Sequence, residues 1–428
     1  MKRRDFLAGA ALGLAAGPFI RIRPRARRYR TALIGSGWWG MNILRVALSS
    51  GTVDVVGLCD VDAGQLEKAA LEVEQLSGKA PTIFAHYEEL LARTNCEIAI
   101  VATPDHWHAL PTIAALEAGA HVYLEKPISH TVDEGKAMLH RTRQSTRVVQ
   151  VGTHRRVSPH NISARAFLKS GQVGDIGMVR AFVHYGGGAG QPTPSGPIPD
   201  GLDWDRWCGP APLRPYNRSI HPRGFRQYLE FANGQLGDWG IHWLDQILWF
   251  MEEEPFPHAI SSTGGRHIRR DGSDAPDTQV ATFAFEKYTA TWEHRQYAAN
   301  NAEKSNIGCY FYGTRGTLHL GWLDGWTFYP SDNKTPIEHE DPQLDQPDSQ
   351  NIRALWEDFI RAIESGTRPA CDIEHGYRAT NMCLLAMIAL KTGRTLHWDS
   401  QAETIAGDVE AATMMRRPYR TPWVYPEV

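Results

Sequence analysis

At 428 residues the chain is long enough for two domains with separate cores, and its composition, with 42% hydrophobic and 22% charged residues, excludes a disordered or a membrane-embedded protein. The formal net charge is −3, but the first 28 residues hold eight basic residues against one acidic residue, which leaves the rest of the chain at −10. Because the chain after residue 28 is acidic, we expect no nucleic-acid partner.

The N-terminal residues show a pattern typical of a bacterial export signal. Lys2-Arg3-Arg4-Asp5-Phe6-Leu7 places two arginines before an uncharged stretch, residues 6–20. Those 15 residues are fewer than the roughly 20 that a bilayer-crossing helix needs. We therefore expect residues 1–28 to be a twin-arginine signal with a basic linker, export through the twin-arginine translocation machinery, and a periplasmic location. The alternative is a basic tail on an unexported protein, because five more arginines follow and no clear cleavage site is present.

Residues 29–150 alternate between apolar strands and amphipathic helices. We predict strands at residues 30–34, 53–59, 98–102 and 121–124, and helices that begin at Trp38 and cover residues 63–76 and 110–118. Buried strands that alternate with helices form a parallel sheet with both faces covered. The pattern thus predicts an α/β protein whose N-terminal domain is a Rossmann-type, doubly wound parallel sheet.

A dinucleotide fingerprint lies between the first strand and the first helix. In Gly35-Ser36-Gly37-Trp38-Trp39-Gly40 the first glycine permits a tight turn, the second lets the backbone approach a pyrophosphate, and the third packs helix against strand. Asp60 ends the second strand, 20 residues after Gly40, where a carboxylate holds the ribose hydroxyls of the adenosine. Because this charge repels a 2′-phosphate, and no basic residue follows before Lys68, we expect NAD rather than NADP.

Two later strands of this domain end in polar motifs. Thr103-Pro104-Asp105-His106-Trp107-His108 follows the strand at residues 98–102, and Glu125-Lys126-Pro127 follows the strand at residues 121–124. Doubly wound sheets bind their ligands outside the carboxyl ends of the strands. The residues expected to line the cofactor site here are Thr103, Pro104, His108, Glu125 and Lys126.

No metal site is predicted. His106 and His108 are two residues apart, a spacing that does not bring both rings to one ion, and no third ligand is nearby in sequence. The six cysteines, at positions 59, 96, 208, 309, 371 and 383, show neither C-x-x-C spacing nor a disulfide framework. We expect buried free thiols, since a chain that folds in a reducing cytoplasm before export keeps its thiols reduced.

The pattern changes in residues 151–428. Longer alternating strands are predicted at residues 178–185, 278–285, 289–295, 307–312 and 316–320, which indicates a second α/β domain with a large open, mainly antiparallel sheet. Two late helices are predicted at residues 351–364 and 380–391. A loop rich in glycine and proline, residues 186–201, is a candidate lid, and an acidic loop, residues 329–350, is expected to be solvated.

Three separated motifs resemble one protein family. The fingerprint, Glu125-Lys126-Pro127 and the segment Gly237-Asp238-Trp239-Gly240-Ile241-His242-Trp243-Leu244-Asp245 occur in the order seen in the Gfo/Idh/MocA oxidoreductases, and the resemblance covers nearly everything from Tyr29 onward. Residues 202–210 and 221–226 resemble a subgroup of exported members. The resemblance implies an N-terminal Rossmann domain, a C-terminal domain on an open sheet that mediates homo-oligomers, and chemistry at a ring hydroxyl of a sugar or cyclitol.

The resemblance also implies catalytic residues, namely Lys126, Asp238 and His242. Oxidising an alcohol requires a base for the hydroxyl proton while hydride leaves for the nicotinamide, and histidine titrates near neutral pH, so His242 is the candidate base. Lys126 would stabilise the developing alkoxide. Asp238, one helical turn before His242, would orient the imidazole or bind a neighbouring hydroxyl. The structural alternatives are a helix cap for Asp238, a core position for His242 and a surface position for Lys126.

Further polar and aromatic residues are candidates for the substrate site. The proposed hydroxyl or carboxylate binders are His154, Arg155, Tyr185, His221 and Arg226. Arg226 has an alternative partner in Glu230, four residues later. Five tryptophans crowd into about fifty residues, at positions 204, 207, 239, 243 and 249, and we expect most of them in the core and one or two against a sugar ring.

Three functions are compatible with these motifs. The leading one is an exported NAD-dependent oxidoreductase for a sugar, glycoside or cyclitol whose NAD is tightly bound, because no soluble nicotinamide pool would reoxidise released NADH outside the cytoplasm. The second is a redox-neutral glycoside-cleaving enzyme that oxidises, eliminates and reduces again without the paired carboxylates of ordinary glycosidases. The third is a sugar-binding or sensory protein with a structural nucleotide.

Overall fold

The computed structural model describes residues 27–252, 255–299, 303, 305–345 and 350–428, so the twin-arginine motif and the apolar stretch after it lie outside the described residues. The first domain holds a six-stranded parallel sheet with the order β3-β2-β1-β4-β5-β6, which confirms the predicted doubly wound fold. Its strands are β1 (Tyr29–Ile34), β2 (Val53–Cys59), β3 (Thr82–Phe84), β4 (Ile98–Val101), β5 (His121–Leu124) and β6 (Val149–Val151). Its helices are α1 (Trp38–Ser49), α2 (Ala63–Ser77), α3 (Tyr87–Thr94), α4 (Ala109–Glu117) and α5 (Val132–Gln144).

The second domain is built on a ten-stranded sheet with the order β14-β13-β12-β11-β7-β10-β9-β8-β15-β16. Only the pair of β7 and β10 is parallel among its described strand pairs, so the sheet is mainly antiparallel, as expected. Its strands are β7 (Ile176–His184), β8 (Ala259–Gly265), β9 (Thr278–Ala284), β10 (Thr289–Arg295), β11 (Ile307–Gly313), β12 (Gly316–Gly321), β13 (Trp326–Pro330), β14 (Glu338–Glu340), β15 (Leu396–Asp399) and β16 (Thr404–Ala406). The remaining helices are α6 (Pro159–Lys169), α7 (Trp204–Cys208), α8 (Ile241–Phe250), α9 (Ile352–Ser365), α10 (Ile373–Thr392) and α11 (Val409–Thr413).

The acidic segment at residues 329–350 is more ordered than its sequence suggests. It contains the end of β13 and all of β14, which pair antiparallel at the edge of the large sheet. The edge strand β14 forms because its backbone hydrogen-bonds to β13, although the segment does not alternate apolar and polar residues. The prediction of a continuous solvated loop is therefore wrong for residues 329–330 and 338–340.

Helix α10 ties the two domains together. Its first residues, Ile373 and Tyr377, belong to the hydrophobic core of the parallel sheet, whereas its later residues, such as Met382 and Leu385, belong to the core beneath the ten-stranded sheet. Helix α9 also packs on the first core, although it follows the second domain's strands in sequence. The two domains thus share a buried frame, because α10 contributes to both hydrophobic cores. This frame fixes the carboxyl edge of the parallel sheet relative to the second domain.

A buried ion pair joins this frame to the segment that follows β6. Arg156 and Asp245 are 4% and 1% exposed, and Arg156 Nε lies 2.9 Å from each carboxylate oxygen of Asp245. The pair fixes α8, which carries His242, relative to the end of the parallel sheet. Removing one partner of such a pair leaves an uncompensated buried charge, which costs about 3–5 kcal/mol.

All six cysteines are buried and free, as expected from their spacing. Burial raises the pKa of several of these thiols, including Cys371, so they stay protonated near neutral pH. Within the described part of the chain, no helix is both long enough and apolar enough to cross a membrane.

We predict that Asp245→Ala lowers the free energy of unfolding by about 3–5 kcal/mol, because Arg156 then remains charged and buried. Urea denaturation followed by tryptophan fluorescence measures the change. The control is Glu89→Ala, which breaks the ion pair between Arg93 and Glu89 on the exposed face of α3 and should cost less than about 1 kcal/mol. Equal losses in the two variants would contradict the role of the buried pair.

Candidate active site

The fingerprint glycines shape a cleft at the carboxyl edge of the parallel sheet. Gly35 has a φ of +93°, and a Cβ there would lie 2.6 Å from the carbonyl oxygen of Ala102. A Cβ on Gly40 would lie 2.1 Å from the Gly35 oxygen, so α1 packs directly on the turn. Gly37 lines the cleft and has no neighbour within 4 Å of its would-be Cβ, which leaves open space at the start of α1. This cradle fits a dinucleotide pyrophosphate.

The carboxylate of Asp60 faces the same cleft at the end of β2. It accepts hydrogen bonds from the backbone N–H of Ser36 (2.8 Å), the hydroxyl of Ser36 (3.1 Å) and the backbone N–H of Asp62 (3.0 Å). Burial raises the pKa of Asp60, and these three hydrogen bonds oppose the rise. Ser36 therefore orients Asp60, and it does not itself line the cleft.

The other predicted cofactor residues all line the cleft, namely Trp38, Trp39, Thr103, Pro104, His108, Glu125 and Lys126. His108 has one ring nitrogen 2.6 Å from the carbonyl oxygen of Pro127 and the other 2.8 Å from that of Thr103, and a neutral ring donates a hydrogen bond to only one of them. Burial lowers the pKa of His108 to about 4 and raises the pKa of Glu125 to about 7. Their roles in binding stay predictions.

Three charged groups meet at the end of this cleft. Lys126 donates hydrogen bonds to the side chain of Asp238 (2.7 Å) and to its backbone carbonyl (2.8 Å), and Arg226 Nε donates to the same carboxylate oxygen (3.1 Å). Asp238 lies in a π-helical turn, Leu236–Gly240, that leads into α8. Burial would raise the pKa of Asp238, but the charges of Lys126 and Arg226 outweigh it and lower the pKa to about 2. Asp238 therefore stays ionised and fixes both cations.

His242 lies one turn after Asp238, inside a cluster of aromatic rings. Its ring centroid is 5.0 Å from that of Trp322 and 6.1 Å from that of Trp239. Burial, together with the charges of Lys126 and Arg155, holds the pKa of His242 well below its usual value, so the ring is neutral near neutral pH. Its Nδ1 has no hydrogen-bond partner among the described residues. His242 does not line the cofactor cleft, whose wall reaches Lys126.

Three of the predicted substrate residues lie around this aromatic cluster. His154 packs edge-on against the ring of His242, with 5.5 Å between centroids. The guanidinium of Arg155 lies 3.9 Å from the centre of the Trp322 ring. The ring centroids of Tyr185 and Trp239 are 5.8 Å apart. All three come from segments distant in sequence from α8, and the fold brings them to one place.

The other two predicted substrate residues line the cofactor cleft instead. His221 Nε2 lies 3.8 Å from a carboxylate oxygen of Asp62, and both residues line the cleft together with Asp60. Arg226 binds Asp238, and its predicted alternative pairing with Glu230 is wrong because Glu230 pairs with Arg214 at 2.8 Å.

Several site residues were not singled out from the sequence. Asp105 lines the cleft, and burial together with the charge of Asp238 raises its pKa to about 7 against the opposing charge of Arg226. Trp322 follows β12 in a short turn, and no local pattern distinguishes it from a surface tryptophan. Asp105 could have been predicted, because it lies in the polar motif that follows a strand of the parallel sheet. No sequence motif pointed to Trp322.

Curated relatives match parts of the chain. A glycosyl hydrolase family 109 protein of Stenotrophomonas maltophilia is 34% identical over 134 residues, which make up 29% of this chain and 29% of the relative. An inositol 2-dehydrogenase of Salmonella typhimurium is 28% identical over 158 residues, 36% of this chain and 46% of the relative. The matches thus span less than half the length of these relatives.

Solved structures share the fold over most of the chain. A levoglucosan dehydrogenase in complex with NADH and levoglucosan has a TM-score of 0.67 at 17% identity, and the match covers 87% of this chain and 99% of that one. An aldose-aldose oxidoreductase from Caulobacter crescentus complexed with glycerol has a TM-score of 0.65 at 20% identity, covering 87% and 100%.

Family models match both domains. The oxidoreductase family model for the NAD-binding Rossmann fold matches residues 29–153, and the model for the C-terminal alpha/beta domain matches residues 181–425. The chain therefore belongs to the Gfo/Idh/MocA oxidoreductase family, and its first domain is an NAD-binding Rossmann domain.

Proposed function

We propose that this protein is an exported NAD-dependent oxidoreductase that acts on a ring hydroxyl of a sugar, glycoside or cyclitol and retains its NAD between turnovers. The observation that carries the proposal is the position of Lys126. Its ammonium is held by Asp238 at the wall of the NAD cleft, and the uncharged imidazole of His242 is one helical turn further along. Dehydrogenases among the relatives and structural neighbours support the same chemistry.

Each of these residues has a distinct part in the oxidation. Bound NAD supplies the acceptor for the hydride that leaves the hydroxyl carbon. Lys126 has three N–H donors, of which two bind Asp238, and the third donates to the substrate oxygen and stabilises its developing negative charge. The neutral ring of His242 accepts the hydroxyl proton. Returning the proton and the hydride reverses the reaction.

Glycoside cleavage is the second candidate, and the glycosyl hydrolase family 109 relatives favour it. Ordinary glycosidases need one protonated carboxylic acid beside the leaving oxygen. Asp238 does not meet this need, because two cations keep it ionised. In this candidate function the same oxidation by Lys126 and His242 makes a neighbouring C–H acidic. That proton is then lost as the aglycone leaves, water adds to the resulting double bond, and the hydride returns to the oxidised carbon.

Two further features complete the proposal. The twin arginines at Arg3 and Arg4 support export to the periplasm through the twin-arginine machinery. The outer face of the ten-stranded sheet supports a homo-oligomer, since Met178 of β7 and Val280 of β9 are each 41% exposed there.

The first experiment follows the absorbance of bound reduced nicotinamide as glycosides are added to the purified protein without external cofactor. A stoichiometric signal that persists until a carbonyl acceptor is added supports the oxidoreductase. A transient signal with release of the aglycone supports redox-neutral glycoside cleavage. Binding of sugar with no reduced nicotinamide would contradict both activities and indicate a binding protein with a structural nucleotide.

We predict that His242→Ala lowers kcat about 10²- to 10⁴-fold, because the substrate proton loses its acceptor. The dissociation constant of NADH, measured by fluorescence titration, should change less than about threefold, because His242 does not line the cofactor cleft. The control is His397→Ala, which removes an exposed histidine of β15 and should alter neither quantity. Equal losses of turnover and of NADH binding would rule out His242 as the base.

We predict that Asp60→Ala weakens NAD binding by about 10-fold or more and narrows the preference for NAD over NADP. The ribose loses a charged acceptor, and the 2′-phosphate no longer meets a negative charge. Titrations with NADH and NADPH measure both effects. Asp62→Asn is the matched control, because it removes a neighbouring charge and retains the side-chain oxygen that caps α2. An unchanged preference in the Asp60 variant would refute the assignment.

A further inference from the structure

A segment of the second domain lies over the NAD cleft. This cover segment, residues 202–226, is joined to the end of β2 by backbone hydrogen bonds from Asp203 N to Val61 O (3.0 Å) and, at its edge, from Ala63 N to Gly201 O (2.9 Å). It has a hydrophobic core of its own, in which the rings of Trp204 and Trp207 stack 4.7 Å apart. The cover segment is therefore a folded wall, and the expected lid at residues 186–201 does not line the cleft.

One cation of the cover segment faces the phosphate cradle. Arg223 lines the same cleft as Gly35 and Gly37, and its guanidinium lies 4.8 Å from the ring centre of Trp38 on the first turn of α1. Arg223 has no acidic partner among the described residues, and its side chain is exposed. Stacking on an indole leaves the N–H donors at the edge of a guanidinium available. An unpaired cation thus stands beside a helix N-terminus that already favours anions.

The C-terminal tail, residues 417–428, fastens the cover segment. Arg420 donates to the carbonyls of Gly209 (3.1 Å) and Ala211 (3.2 Å) and pairs with Asp205 at 2.7 Å. The backbone N–H of Arg420 also donates to the carbonyl of Pro210 (3.0 Å). Arg420 therefore holds the cover segment through both its guanidinium and its backbone N–H.

On either side of Arg420, the tail is attached to the Rossmann domain. Arg417 donates to the carbonyl of His106 (2.8 Å) and pairs with the buried Glu134 at 3.0 Å. The hydroxyl of Tyr425 lies 2.7 Å from that of Thr131, at the start of α5. The tail thus bridges the cover segment and the wall that it faces.

We propose that Arg223 binds the pyrophosphate of the dinucleotide beside the N-terminus of α1, and that the C-terminal tail holds the cover segment closed so that the dinucleotide is released slowly. The inference rests on the NAD-dependent function proposed above and supplies its means of retaining the cofactor. An arginine matches pyrophosphate oxygens with two parallel N–H donors. Release then requires both this pairing and the contacts of Arg420 to break.

The test of Arg223 measures how fast bound NADH leaves the full-length protein after a large excess of NAD is added, from the loss of NADH fluorescence. Arg223→Gln should release NADH about 10-fold faster or more. It should also weaken the binding of ADP-ribose, which has the pyrophosphate but no nicotinamide, by a similar factor. Arg223→Lys should restore part of the retention. The matched control is Arg218→Gln, which removes an exposed arginine of the same segment that does not line the cleft. Equal release rates for the two glutamine variants would overturn the proposal.

The test of the tail uses Arg420→Ala, with Arg394→Ala as a control that breaks an exposed ion pair away from the tail. The Arg420 variant should release NADH about 10-fold faster than the wild-type protein. The midpoint temperature of thermal unfolding of the NADH-free protein should change little more than in the control. Unchanged release in Arg420→Ala would overturn the latch. Failure of the wild-type protein to bind NADH would instead contradict the NAD-dependent function itself, so the two failures are distinguishable.

Discussion

The site depends on one carboxylate that is shared by two cations from different parts of the chain. Lys126 comes from the end of β5 and Arg226 from the cover segment, and both bind the same oxygen of Asp238. One negative charge between two positive charges leaves an excess of positive charge where a substrate oxygen would become negative. Burial, together with the charges of Lys126 and Arg155, holds the pKa of the nearby His242 well below its usual value and keeps the ring uncharged. The ion cluster therefore fixes the ammonium that would bind the substrate oxygen.

Such a cluster needs a rigid frame, because its three members lie on separate elements. Helix α10 supplies it by contributing apolar residues to both cores, and the buried pair of Arg156 and Asp245 fixes the helix that carries His242. The π-helical turn at Leu236–Gly240 then places Asp238 beside Lys126 while the following helix continues normally. Turns of this kind are frequent at functional sites because they redirect one side chain without breaking the helix.

Local patterns in the sequence were enough for four of the six strands of the parallel sheet and for the motifs at their ends. They were not enough for the first turns of α10, which was predicted at residues 380–391 and covers Ile373–Thr392, or for long-range contacts. Strands β2, β5 and β10 occur at the predicted residues because apolar alternation and turn residues are local signals. The pairing of Arg226 was ambiguous, since spacing on a helix favoured Glu230 and only the irregular turn brings Asp238 within reach. The position of Trp322 against His242 likewise comes from tertiary packing. Such contacts depend on how segments distant in sequence pack together, and local sequence periodicity does not predict this packing.

The tail has a consequence for the order in which the protein matures on the ribosome. Arg420 contacts Asp205, which precedes it by 215 residues. At a translation rate of about 5–20 residues per second, roughly 10–40 s separate the synthesis of these two partners. During that interval the parallel sheet and the cover segment have been synthesised but Arg420 has not. The nascent chain therefore passes through a stage in which the cover segment lacks its contacts with the tail.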